Sequence, residues 1–179
     1  MKSFITHMTA AGIAVMLCIP HLSHAAGKYP ILHYTKKLPR AQRTALAKEG
    51  FDMDRVKSVI AWELNGVRHY FVAVNDIGGG CGIIDISDAG SSKILDSYGQ
   101  CRILGAPRIA DLSGDGNQGI VVKLRVNSNG AAPAVVEQVN GYLYVKSASE
   151  FCRNNDAGSF ANGTRVPNSV LKYSASICR

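Results

Sequence analysis

The sequence predicts a mainly β fold: two antiparallel sheets or propeller-like blades built from hairpins, with one short N-terminal helix. Three observations lead there. From Val56 onward, β-branched and aromatic residues recur in short runs. Gly, Asn, Asp and Ser cluster in the gaps between those runs, which is how strands and turns alternate. Only one segment carries clear helix signals, with Pro39 at its start, Gly50 at its end and good helix formers between.

The elements follow in order. Residues 26–38 read as irregular and extended, around Tyr29, Pro30, Ile31, Leu32 and Tyr34. The 39–50 helix has few apolar residues and is expected to pack lightly. Val59–Leu64 and Val67–Val74 flank Asn65-Gly66, a pair that favours a type I′ hairpin turn. Short strands are expected at Gly82–Ile86, Lys93–Tyr98, Arg108–Leu112 and Ile120–Val126. A second hairpin of like design is expected at Ala134–Val139 and Tyr142–Val145, turning on Asn140-Gly141. Two like hairpins suggest a duplicated β unit. Two blades cannot close a propeller, so an open or sandwich-like arrangement is favoured, closed by disulfides and the helix.

Residues 1–25 read as a secretory signal peptide. Lys2 supplies the positive start, Ala10–Ile19 the apolar run, Pro20 the break, and Ser23-His24-Ala25 the small residues around the cleavage site. The apolar run is shorter than the roughly 20 residues needed to span a bilayer, which argues against a membrane anchor. Residues 26–179 then form a single β-rich domain, expected in the periplasm or secreted. Of the 20 basic and 13 acidic residues only Lys2 falls in the signal, so the remainder carries a formal +6 (19 minus 13). That balance suits anionic partners. Nucleic acid is not expected: the longest basic run is Lys36-Lys37, with no interleaved aromatics.

Four cysteines follow the signal: Cys81, Cys101, Cys152 and Cys178. An even count in an exported chain reads as two disulfides. Of the three possible pairings, the local one joins Cys81 to Cys101 and Cys152 to Cys178.

The most informative stretch is Asp111-Leu112-Ser113-Gly114-Asp115-Gly116-Asn117, followed by an Ile-Val-Val strand. Asp111, Ser113 and Asp115 place oxygens at alternate positions, Gly116 permits the turn, and Asn117 adds a backbone carbonyl. Hard cations want several oxygens at about 2.4 Å, so these four are the candidate metal residues, for weak calcium if any. The stretch resembles the FG-GAP repeat of integrin-type propellers, whose D-x-[DN]-G-D-G-x-x-D loop implies calcium. It departs at Ser113 and at Gly119, where the closing carboxylate should be. A turn held by Asx hydrogen bonds is the preferred reading, with no cofactor. All six polar and glycine residues of the loop, Asp111, Ser113, Gly114, Asp115, Gly116 and Asn117, form the candidate partner-binding loop.

No catalytic constellation is legible, and no enzyme is expected. Gly78-Gly79-Gly80-Cys81 would need a free thiolate and a base, whereas an exported Cys81 is expected in a disulfide. His69 is expected at the surface or an edge. Asp85, Asp88 and Asp96 are expected to be solvated near turns. In size, export signal, hairpins and polar loop, the chain resembles the periplasmic immunity proteins that protect bacteria from type VI secretion cell-wall amidases. That resemblance implies an inhibitor that inserts the loop into the active site of a secreted or injected peptidoglycan hydrolase, with Ser113 and its neighbours facing the catalytic Cys-His pair. The FG-GAP likeness implies the alternative, a calcium-dependent adhesion or carbohydrate-binding module.

Overall fold

The computed structural model describes residues 29–112, 116–128, 134–155 and 158. Residues 1–25, read from the sequence as a signal peptide, and Cys178 lie outside the described residues.

The expected β architecture is found as two antiparallel sheets. The first holds β1 (Ile31–Thr35), β2 (Val56–Leu64), β3 (Val67–Asn75), β4 (Cys81–Ser87) and β5 (Ser92–Tyr98), paired in that order. The second holds β10 (Glu150–Asn154), β9 (Ala134–Val145), β8 (Gln118–Ser128) and β6 (Cys101–Ile103) in that order, with β7 (Arg108–Asp111) also on β8. β1 replaces the irregular extended segment expected from sequence.

The first hairpin forms as predicted. Asn65 and Gly66 both adopt positive φ, 53° and 79°, the requirement of a type I′ turn. The second does not form. Asn140 and Gly141 lie inside β9, where they pair with Val122 and Val121 of β8. Two tertiary constraints override the local turn preference. Asn140 directs its amide to side chains of the first sheet. Gly141 lies beneath the chain leaving β10, where a Cβ on Gly158 would come within 2.2 Å of the Val139 carbonyl oxygen and 3.1 Å of the Gly141 nitrogen.

Strand alternation divides the apolar residues into layers. Ile60, Trp62, Phe71, Ala73 and Ile83 of the first sheet face Ile120, Val122, Leu124, Tyr142, Tyr144 and Phe151 of the second. The rings interlock edge to face: Phe71 with Tyr142 at 5.2 Å between centroids, and Trp62 with Phe151 at 5.4 Å. Such pairs contribute about 1 kcal/mol each beyond the area they bury. The outer face of the first sheet, including Val59, Val72, Val74, Ile84 and Ile86, is covered by α1 (Arg40–Lys48) through Ala45 and Leu46.

The helix is held more firmly than its apolar content suggested. Buried Gln42 donates from Nε2 to the carbonyls of Ser87 and Asp88, at 3.0 and 2.7 Å, tying α1 to the β4–β5 turn. Pro39 caps its start and Lys48 lies in its last turn, but the first turn carries no acid. Arg40 and Arg43 stand there instead, against the helix dipole.

The Cys81–Cys101 disulfide forms as expected, with Cα atoms 5.6 Å apart, and joins the first sheet to β6 of the second. Cys152 is also disulfide-bonded. Replacing Cys81 and Cys101 together by Ser is expected to cost about 3 kcal/mol through the entropy of the unfolded chain. Urea denaturation at unchanged pH measures it; a loss below half that size would show that the bridge constrains little.

Candidate functional site

The predicted loop is anchored at both ends. Asp111 closes β7 opposite Gln118 of β8. Leu112 turns inward and is 1% exposed, packed with Val121 and Leu143 on the outer face of the second sheet. Beyond it, Gly116 adopts φ +84°, and its N–H donates to Asp111 Oδ2 at 3.2 Å. Asn117 is buried, and its Nδ2 faces the Tyr144 carbonyl at 3.5 Å. Asp111, Gly116 and Asn117 are thus brought together. Ser113, Gly114 and Asp115 lie outside the described residues, and with them half of the candidate calcium set. Among the described residues, no three acidic, His or Cys side chains gather to hold a metal.

Sequence reasoning missed two polar clusters between the sheets. In the first, Asp85 is buried, contrary to expectation. Trp62 Nε1 donates to its Oδ1 at 2.8 Å, and His69 Nδ1 lies 2.9 Å from its Oδ2. His69 is therefore not a surface residue: it points inward and stacks on Trp62 at 4.2 Å. Since a carboxylate only accepts, Nδ1 carries the proton of this bond. The strand pattern carries the cue. Asp85 sits between Ile84 and Ile86, whose side chains face α1, so alternation turns it into the inter-sheet space.

The second cluster closes the β5–β10 seam. Asp96, also expected to be solvated, accepts four hydrogen bonds on Oδ2: from Tyr98 Oη at 2.9 Å, Tyr142 Oη at 3.1 Å, Asn140 Nδ2 at 3.2 Å and Arg153 Nη1 at 3.1 Å. Arg153 also donates to Tyr98 Oη at 2.8 Å. Next along the seam, Lys93 of β5 pairs with Glu150 of β10. A bulge makes this possible. Register shifts between Ile83 and Ile84, so that Leu95 is extra and both it and Asp96 face inward. Nothing local in the sequence announces a bulge there. The third predicted acid, Asp88, is exposed in the β4–β5 turn as expected.

Burial pushes the Tyr142 hydroxyl well above its ordinary pKa and the Tyr98 hydroxyl up, with the Asp96 charge adding to both. On the open face of the second sheet, Lys123 and Arg125 hold Glu137 down to about 2.

The chain matches no protein-family model, no curated protein and no solved structure. Its own geometry offers one anchored loop base and two polar clusters that are partly buried. The Asp85 cluster ties three strands of the first sheet, and the Asp96 cluster joins the two sheets. The loop base takes no part in either cluster.

Tyr142 must stay neutral in the fold, and an unfolded tyrosine ionises near pH 10. Its contribution is fully present below that pH and is lost as pH rises toward the higher folded value. The melting temperature is expected to fall steeply above about pH 10, and Tyr142→Phe is expected to flatten that fall while costing about 1 kcal/mol at neutral pH. An unchanged alkaline profile in the variant would remove Tyr142 as its source. Asp85→Ala strips Trp62 and His69 of their shared acceptor and is expected to cost about 2–4 kcal/mol, measured by urea denaturation; a loss within about 0.5 kcal/mol would mean water replaces the carboxylate.

Proposed function

We propose that this protein is exported to the periplasm and binds rather than catalyses, blocking a peptidoglycan hydrolase by placing the loop that follows β7 in its active-site cleft. The anchored loop base carries the reading. Leu112 and Asn117 are buried on either side of the loop, and Asp111 bonds across it to the Gly116 N–H. A loop fixed at its base in this way loses less entropy on binding, and pre-organisation is what lets a short polar segment bind tightly. Two sheets joined by an aromatic core and a disulfide give the loop a rigid support. The disulfide fits an oxidising compartment. No helix among the described residues is long and apolar enough to cross a membrane.

The test is reconstitution with purified peptidoglycan hydrolases, beginning with any whose gene adjoins that of this chain. A stable one-to-one complex and loss of peptidoglycan hydrolysis are expected. Asp111→Ala frees the loop base and is expected to weaken inhibition about tenfold, corresponding to about 1.4 kcal/mol, with little change in melting temperature. Failure of any complex, or full inhibition by a chain whose Ser113–Asp115 segment is replaced by glycines, would defeat the proposal. Calcium supplies a separate check. Asp111 Oδ2 already accepts from Gly116, so millimolar calcium is expected to leave the melting temperature unchanged. A rise of several degrees would favour the adhesion-module reading instead.

A further inference from the structure

One segment of the chain carries positive charge without interspersed acids. Residues 36–48 contain Lys36, Lys37, Arg40, Arg43 and Lys48 and no acid. All five are exposed. Among the described residues, the ion pairs all lie elsewhere: Glu63, Asp85, Asp96, Glu137 and Glu150 are matched with Arg68, His69, Arg153, Lys123 and Arg125, and Lys93. The acids bordering the strip are turned to other partners. Glu49 accepts from the Ser92 hydroxyl, and Asp88 Oδ1 faces the Tyr70 hydroxyl at 3.5 Å.

The strip has a groove beside it. Arg40, Ala41, Thr44, Ala45 and Lys48 form one wall, and Ala89 with Gly90 of the β4–β5 turn the other, around about 520 Å³. Arg40, Thr44 and Lys48 are four residues apart, so they line up along the helix, with the two cations about 12 Å apart.

We propose that this groove binds a linear anionic polysaccharide, its acid groups spanning Arg40 and Lys48. The chemistry of the walls selects that occupant. A folded protein partner would be expected to find aromatic or large aliphatic anchors, and the walls offer only small and cationic residues. A bilayer would need apolar side chains to insert; among the described residues, the exposed large apolar ones all lie outside residues 36–50. Single-stranded nucleic acid would want aromatic platforms for its bases, and the walls have none. An open groove with cations in line accommodates a flexible polyanion, which binds by charge and counterion release. This surface is distinct from the loop after β7, and its test is independent of hydrolase inhibition.

The experiment measures binding of the full mature chain to fluorescein-labelled heparin (sulfated) and polygalacturonate (carboxylated) by anisotropy over a range of salt. Binding to at least one is expected, weakening with salt. Arg40→Ala/Lys48→Ala is expected to weaken it at least about tenfold and to reduce the salt slope by about two. Ala89→Trp fills the groove without altering charge and is expected to weaken binding several-fold. Arg102→Ala/Arg108→Ala removes two exposed cations from the second sheet and is expected to have little effect. All of these positions are exposed, and circular dichroism verifies each fold. Equal losses in the two double variants, no effect of Ala89→Trp, or tighter binding to polyglutamate, single-stranded DNA or phosphatidylglycerol vesicles would each overturn the proposal.

Discussion

Between the two sheets, five rings meet: Trp62 and Phe71 from the first, Tyr142, Tyr144 and Phe151 from the second. Each touches at least one ring across the gap or beside it, and the contacts are mostly edge to face. Neither sheet has another way to bury this face. The α1 layer covers only the outer side of the first sheet. Loss of the aromatic contact would leave each sheet with an exposed apolar surface, and truncating one such ring typically costs about 3–5 kcal/mol. Strand register, the position of the disulfide and the placement of the loop after β7 all presuppose that contact.

The same enclosed space explains the polar groups. A carboxylate that loses water must recover its hydrogen bonds from the protein. Asp85 and Asp96 do so differently. Asp85 is shared between two residues of the β2–β3 hairpin, so it orders the first sheet from within. Asp96 collects donors from β5, β9 and β10, so it links the sheets to each other. Apolar contact brings the sheets together with little directional preference. Hydrogen bonding is directional: Asp85 fixes the arrangement of three strands within the first sheet, and Asp96 favours one alignment of the two sheets.

What is legible in the sequence is what local physics decides. Asn65-Gly66 turns because both residues tolerate positive φ and both flanking runs favour strands. The helix starts after its cap Pro39 and has stopped before Gly50, at positive φ, for equally local reasons. Asn140-Gly141 has the same letters and the opposite outcome, because its neighbours in space, Val121, Val122 and Asn154, lie outside its own stretch of chain. Asp96 escapes the sequence for a related reason: a bulge shifts its strand by one residue and reverses the face it presents. Asp85 lies near a turn, which suggests solvent, yet the alternation of its neighbours points inward and prevails. Of the loop, Asp111, Gly116 and Asn117 come together as turn chemistry implies, with Asn117 drawn into the interior rather than left on the rim.

The seam between β5 and β10 has a consequence for how the molecule behaves in a crowd. Both are edge strands, one in each sheet, and an open edge invites pairing with another chain. Here Lys93 and Asp96 on one edge meet Glu150 and Arg153 on the other. A foreign strand that pried the seam open would strip these four charges of their partners and bury some of them unmatched. Ionic groups aimed into the gap thus serve as a barrier to strand addition at this seam.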